Sequence, residues 1–191
     1  MGNLTDIFPA PASNNVLEVI CGIGDGRTVY GNENSYTMGT AAAIELTTSY
    51  QDIQGSVIDY ILPADTNYVH YEYVVKWAAT DLSGICHWRL YFDGNDVSAA
   101  YINNASSYGS SNHGHHLVYI NWVFDLTVSS TNYSQGQIAK SDWTGAKTLK
   151  VRSREYHSNY DARAHWITWW NGSSSGYPFL SSPLLTVTAY S

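Results

Sequence analysis

Charge is scarce in this chain of 191 residues. Asp, Glu, Lys and Arg together make up 13%, against about a quarter in an ordinary globular domain. Basic residues are scarcest, 9 against 16 acids, for a formal charge of −7. That argues against a general nucleic-acid binder, which needs a basic footprint, and against docking on anionic lipid; mild acidity serves solubility. Cysteine is limited to Cys21 and Cys86, in no CxxC or other metal spacing. One disulfide and two buried free thiols both stay open, with the thiols favoured. No apolar run of about 18 residues occurs, so no membrane insertion is expected. The opening MGNLTDIFPAPAS has neither a basic nor an apolar signal region, and no signal peptide is expected. Gly2 fits the myristoylation pattern, but Asp6 stands where Ser or Thr is wanted, so lipidation is not expected. Catalytic signatures are lacking too. There is no GxSxG elbow. Gly22-Ile23-Gly24-Asp25-Gly26 has no strand-to-helix unit around it and no following Lys, and reads as a turn. Acids fall into turns (Asp25, Asp65, Asp93, Asp96), and nothing singles out a pair for glycoside hydrolysis. A non-enzymatic protein without cofactors is expected.

What the chain has is Tyr (16) and Trp (7), each a large apolar body with one polar handle. They fall in alternating runs. Along Tyr68 to Trp77, Val69, Tyr71, Tyr73, Val75 and Trp77 share one face, and His70, Glu72 and Lys76 mark the other. A period of two is that of a strand with one face packed. Gly55–Leu62, Ile85–Phe92, Leu117–Leu126, Lys147–Tyr156, Ala162–Trp170 and Leu184–Tyr190 alternate likewise. Asp93-Gly94 predicts a tight hairpin turn. No helical period stands out. About ten antiparallel strands are counted, which predicts an all-β fold, a sandwich or jelly roll. Residues 1–15, with Pro9 and Pro11, read as an extended arm, and residues 16–191 as one domain.

Three polar stretches, Asn103–His116, Thr131–Thr144 and Asn171–Tyr177, read as loops, where recognition usually resides. Candidate binding residues in or beside them are Tyr108, His113, His115, His116, Tyr133, Trp170 and Tyr177. His113 and His115 are also the best metal candidates. An HxH pair on extended chain sends both rings the same way, yet one copy supplies too few ligands, so an exposed polar loop is favoured. Tyr71, Tyr73, Trp77, Trp88, Trp122 and Trp166 are assigned to the core or a subunit interface. Lys150, Arg152 and Arg154 alternate on one strand. A strip that is solvated, or paired with acids of a neighbouring strand or subunit, is favoured over binding of anionic sugars. Four N-x-S/T triplets, at Asn3, Asn104, Asn132 and Asn171, suit the composition and decide nothing.

The run TTSYQDIQGSVIDYILPADTNYVHYEYVVKWA resembles a segment of marine virus structural proteins, including tailed-phage fibres and large algal-virus particle proteins. HWRLYFDGNDV resembles the next hairpin of that pattern, and AKTLKVRSREYHSNYDARAHWITWWNGS its later part. Such proteins are similar to the jelly-roll heads of the tumour-necrosis-factor and complement globular-head class. The resemblance spans Val16 to Tyr190. It implies a ten-stranded sandwich forming a homotrimer, displayed on a capsid or tail, that contacts host surface glycans or receptors. It implies a virion location after assembly in the host cytoplasm, with the N-terminal arm joining other capsid or tail proteins. The chain departs from the fibre pattern in having no repetitive shaft ahead of the first strand. A capsid decoration (cement) protein with no receptor, and a carbohydrate-binding module, are the alternatives.

Overall fold

The computed structural model describes residues 15–79, 83–107, 114–159, 162–167 and 179–191. Fifteen strands occur among them: β1 (Val16–Ile23), β2 (Thr28–Tyr30), β3 (Ser35–Thr37), β4 (Ile44–Glu45), β5 (Gln51–Asp52), β6 (Ile58–Ile61), β7 (Tyr68–Ala79), β8 (Ser83–Phe92), β9 (Asn95–Ser107), β10 (Gly114–Asp125), β11 (Ala146–Glu155), β12 (Ala162–Ala164), β13 (Trp166–Ile167), β14 (Phe179–Leu180) and β15 (Leu184–Tyr190). Among the described residues helix is confined to two single 3-10 turns, Tyr133–Gln135 and Lys140–Asp142. The fold is all-β and every strand pair is antiparallel. The number of strands exceeds the expected ten because β4, β5, β13 and β14 are two-residue pieces.

The first sheet runs β1-β15-β7-β10, with β12 pairing the far end of β7 and β4 outside it. The second runs β9-β8-β11, with β5 and β6 pairing successive parts of β11. Counting β5 and β6 as one position and the short pieces as additions, eight strand positions remain. Their order is 1-8-3-6 in the first sheet and 2-7-4-5 in the second. That is the order of a jelly roll, two Greek keys folded into facing sheets. β7 is its hub, bonded to β10 along its whole length and to β15 along Tyr68–Val74.

The inner faces follow the alternation. Val69, Tyr71, Tyr73, Val75 and Trp77 are each 0–1% exposed. Facing them from the second sheet are Cys86, Trp88, Leu90 and Phe92 of β8 and Leu149 and Val151 of β11, all buried. The β8–β9 hairpin closes through Asp93 (φ 46°) and Gly94 (φ 85°). Positive φ at both central residues is the turn whose twist matches flanking strands, and Asp-Gly tolerates it best. Both cysteines are free: Cys86 is buried, as expected, but Cys21 is exposed on the first sheet.

Two sequence expectations change here. Asn103–Ser107 and Gly114–His116 are strand, not loop: they pair with β8 and with β7. Ala162–Trp170 does not alternate as one strand, because His165 (φ 58°) breaks it between β12 and β13. His165 is fully buried, its Nε2 3.4 Å from the Tyr73 hydroxyl and its N–H bonded to the Lys76 carbonyl. Burial holds its pKa below the ordinary 6.5, so the unfolded chain takes up the proton first. Its contribution to stability is complete above the unfolded value and is lost as pH falls below about 6.5, at about 1.4 kcal/mol per unit until the native group titrates. His165→Asn keeps a residue that tolerates left-handed backbone and removes the titration. Urea unfolding of both proteins at pH 7.5 and pH 5 checks this; the wild type should lose more stability than the variant, and equal losses would refute it.

Candidate functional site

The candidate site is the outer face of the first sheet, which none of the strands and turns among the described residues covers. Strand register sets its rows. Tyr119, Val74, Leu184 and Ile23 lie side by side across β10, β7, β15 and β1. The next row is Asn121, Glu72, Thr186 and Cys21; then come Val123, His70, Thr188 and Val19. Tyr68, Tyr190 and Val16 finish the face. Of the ten exposed large apolar side chains among the described residues, six lie on this face: Val16, Val19, Leu117, Tyr119, Val123 and Leu184. Leu117 is 63% exposed, the most of any on β10. Contiguous exposed apolar area of this kind marks an interaction surface.

A polar row divides the apolar ones. His70 Nε2 lies 2.7 Å from Asn121 Oδ1, and its Nδ1 3.8 Å from Glu72. The Tyr119 hydroxyl donates to the Glu72 carboxylate, which raises the pKa of that phenol. These contacts hold Tyr119 and His70 in fixed orientations on the sheet. Beside them Tyr68, His70, Val123 and Tyr190 line an open groove of about 300 Å³. The groove has apolar walls and one imidazole.

The sequence candidates are dispersed. Tyr71, Tyr73, Trp77 and Trp88 are core, each at most 1% exposed. Trp122 packs half-buried against that core. Trp166 is half-buried with the Arg163 guanidinium 4.2 Å above its ring. Tyr133 is held by Phe92, ring centroids 6.0 Å apart, so it braces the sandwich. His116 stacks on Trp77 at 5.0 Å. Tyr108, His113, Trp170 and Tyr177 lie outside the described residues, as does the side chain of His115, whose backbone pairs with Ala78. Among the described residues no group of three or more His, Cys, Asp or Glu could hold a metal. The described parts of two polar stretches lie at opposite ends. Gly114 of the first pairs with Ala79 at the end of β7. Thr131–Thr144 sits at the opposite end, beside Asn67, which receives the N–H of Leu126.

Alternation did show that His70, Glu72 and Lys76 share the outer face of β7. It did not show that Leu117, Tyr119 and Val123 stand beside them, because that needs the β7–β10 register. The one local sign was that Leu117–Leu126 is apolar at both parities. No protein-family model matches the chain, and no curated protein matches it.

Proposed function

We propose that the protein is a non-enzymatic virion structural protein, a trimeric head displayed on a capsid or tail that contacts host surface glycans or receptors. The observation that supports it most is the apolar outer face of the β1-β15-β7-β10 sheet in a jelly-roll domain, which no strand or turn among the described residues covers. Copies of this chain are the occupants, with the apolar rows meeting around the axis and the His70–Glu72–Asn121 row fixing their register. In this reading the other sheet faces outward. The N-terminal arm joins the head to other particle proteins, whose neighbours a map of the native assembly would identify.

Light scattering at micromolar concentration tests the assembly. The wild type should show three times the 21.2 kDa chain mass. Val123→Glu together with Leu117→Glu should yield a folded monomer, with the stability of an isolated chain changed by no more than about 0.5 kcal/mol per substitution. A monomeric wild type would end the proposal.

A further inference from the structure

The outer face of the second sheet carries a feature the assembly does not use. Arg89 of β8 and Arg152 and Arg154 of β11 rise from it, with Lys150 one row away. All three guanidinium groups converge on Tyr50, which precedes β5. Arg89 lies 4.2 Å from the centroid of its ring and Arg154 5.4 Å, while Arg152 donates to its carbonyl oxygen at 2.7 Å. Tyr101 covers Arg89 from the other side at 4.3 Å, and Tyr91 lies 5.3 Å from Arg152. Stacking on aromatic faces holds a guanidinium plane in place, so less freedom is lost when it binds.

The charges on this face do not cancel. Arg89 pairs with Asp96 at 3.0 Å, and Lys150 and Arg152 share Asp52 at 2.8 and 3.0 Å. Three of the four cations therefore pair with two carboxylates, and Asp59, bonded to Thr148 on the same face, leaves four cations against three carboxylates. Arg154 is the one without a carboxylate partner among the described residues; its contacts are long ones, 3.4 Å and 3.5 Å, to the carbonyls of Thr48 and Glu155. A local excess of positive charge on a chain of net −7 is out of keeping with mere solubility.

We infer that this face binds an acidic sugar, through one carboxylate or sulfate held by Arg154 and Arg89. Planar guanidinium groups match such oxyanions in a two-pronged way. Asp52, 48% exposed, and Asp96 choose between ligands. They accept hydrogen bonds from sugar hydroxyls but repel a segment dense in negative charge. Isolated anionic groups spaced by hydroxyls fit; an acidic peptide does not. The inference rests on the head contacting glycans, and moves the contact from polar loops to a sheet face.

Calorimetric titration of the full chain tests it with three probes: a sialylated trisaccharide, an oligogalacturonate and a sulfated oligogalactose. Their uncharged counterparts and a hexaglutamate peptide serve as comparisons. At least one acidic sugar should bind, about tenfold or more tighter than its uncharged counterpart. Arg154→Ala should weaken it by about tenfold or more, the effect of one charge-assisted hydrogen bond, at an unchanged unfolding temperature. Arg89→Lys, which keeps the charge and loses the fork, should weaken it as well. No binding by any acidic sugar, full affinity in Arg154→Ala, or tighter binding of hexaglutamate would each overturn the site. Mass measured on the same samples separates the two proposals. A trimer that binds no acidic sugar overturns this inference alone, and a monomer that binds one overturns the head assembly alone.

Discussion

Glu18→Ala is expected to destabilise the protein by about 3–5 kcal/mol, because it strands the Tyr60 hydroxyl and the Asn32 N–H at once and leaves the Tyr36 hydroxyl only the Ile61 carbonyl. Glu18, on β1, is 4% exposed. Its carboxylate accepts from the Tyr60 hydroxyl at 2.9 Å, the Tyr36 hydroxyl at 3.2 Å and the Asn32 N–H at 2.8 Å. No cation is paired with it among the described residues, so these donors alone compensate its burial. Burial first and the Glu18 charge second raise the pKa of both phenols well above the ordinary value, and both remain donors at any pH the protein meets. Gly31 leaves room for the arrangement: a Cβ there would stand 2.1 Å from the carboxylate oxygen. Urea unfolding of Glu18→Ala, Tyr60→Phe and the double variant should give a coupling of about 1–3 kcal/mol. A loss under about 1 kcal/mol in Glu18→Ala would show that water replaces the carboxylate.

Trp143→Ala should cost a similar amount, about 3–5 kcal/mol. Trp143 follows the second 3-10 turn and is 3% exposed. Its ring meets Phe92 edge-on at 4.7 Å, Phe124 at 5.9 Å and Tyr60 at 6.3 Å, and its N–H donates to the Tyr60 carbonyl at 3.3 Å. It closes the end of the sandwich between the two sheets. Trp143→Phe should recover most of the loss, since the ring contacts outweigh one neutral hydrogen bond. If both variants unfold with the wild type in urea, the ring is no part of the core.

Trp143 also shows where the sequence was silent. It stands in Thr131–Thr144, where polar residues surround it and no period of two or 3.6 picks it out. Its burial comes from neighbours distant along the chain. β7, β8, β10 and β11 were legible because alternation is written residue by residue, and within each run read in the sequence the buried residues fall on one parity. Asn103–Ser107 and Gly114–His116 were not legible. Asn, Ser, Gly and His weaken the strand signal, and the ladders to β8 and β7 override it. His165 illustrates the reverse. The alternation around it is strong, and a buried turn interrupts it. Of the Arg–Tyr cluster only Lys150, Arg152 and Arg154 could be read, since Tyr50 and Arg89, with Tyr101 stacked on Arg89, join them through the fold.

The pairing of β1 with β15 bears on how the molecule is made. Asn15 and Ser191 bond to each other across a sequence separation of 176. β7, the hub, gains its partner β15 only after β8 to β14 have been synthesised. Until then the Tyr68–Val74 edge of β7 carries unpaired amide and carbonyl groups beside an apolar face, the combination that invites pairing with another chain. Such distant closure belongs to slowly folding topologies. A nascent chain therefore spends most of its synthesis with its most hydrophobic strand half-partnered. Ribosomes crowded on one message would bring many such edges together, which favours pairing between chains over pairing within one.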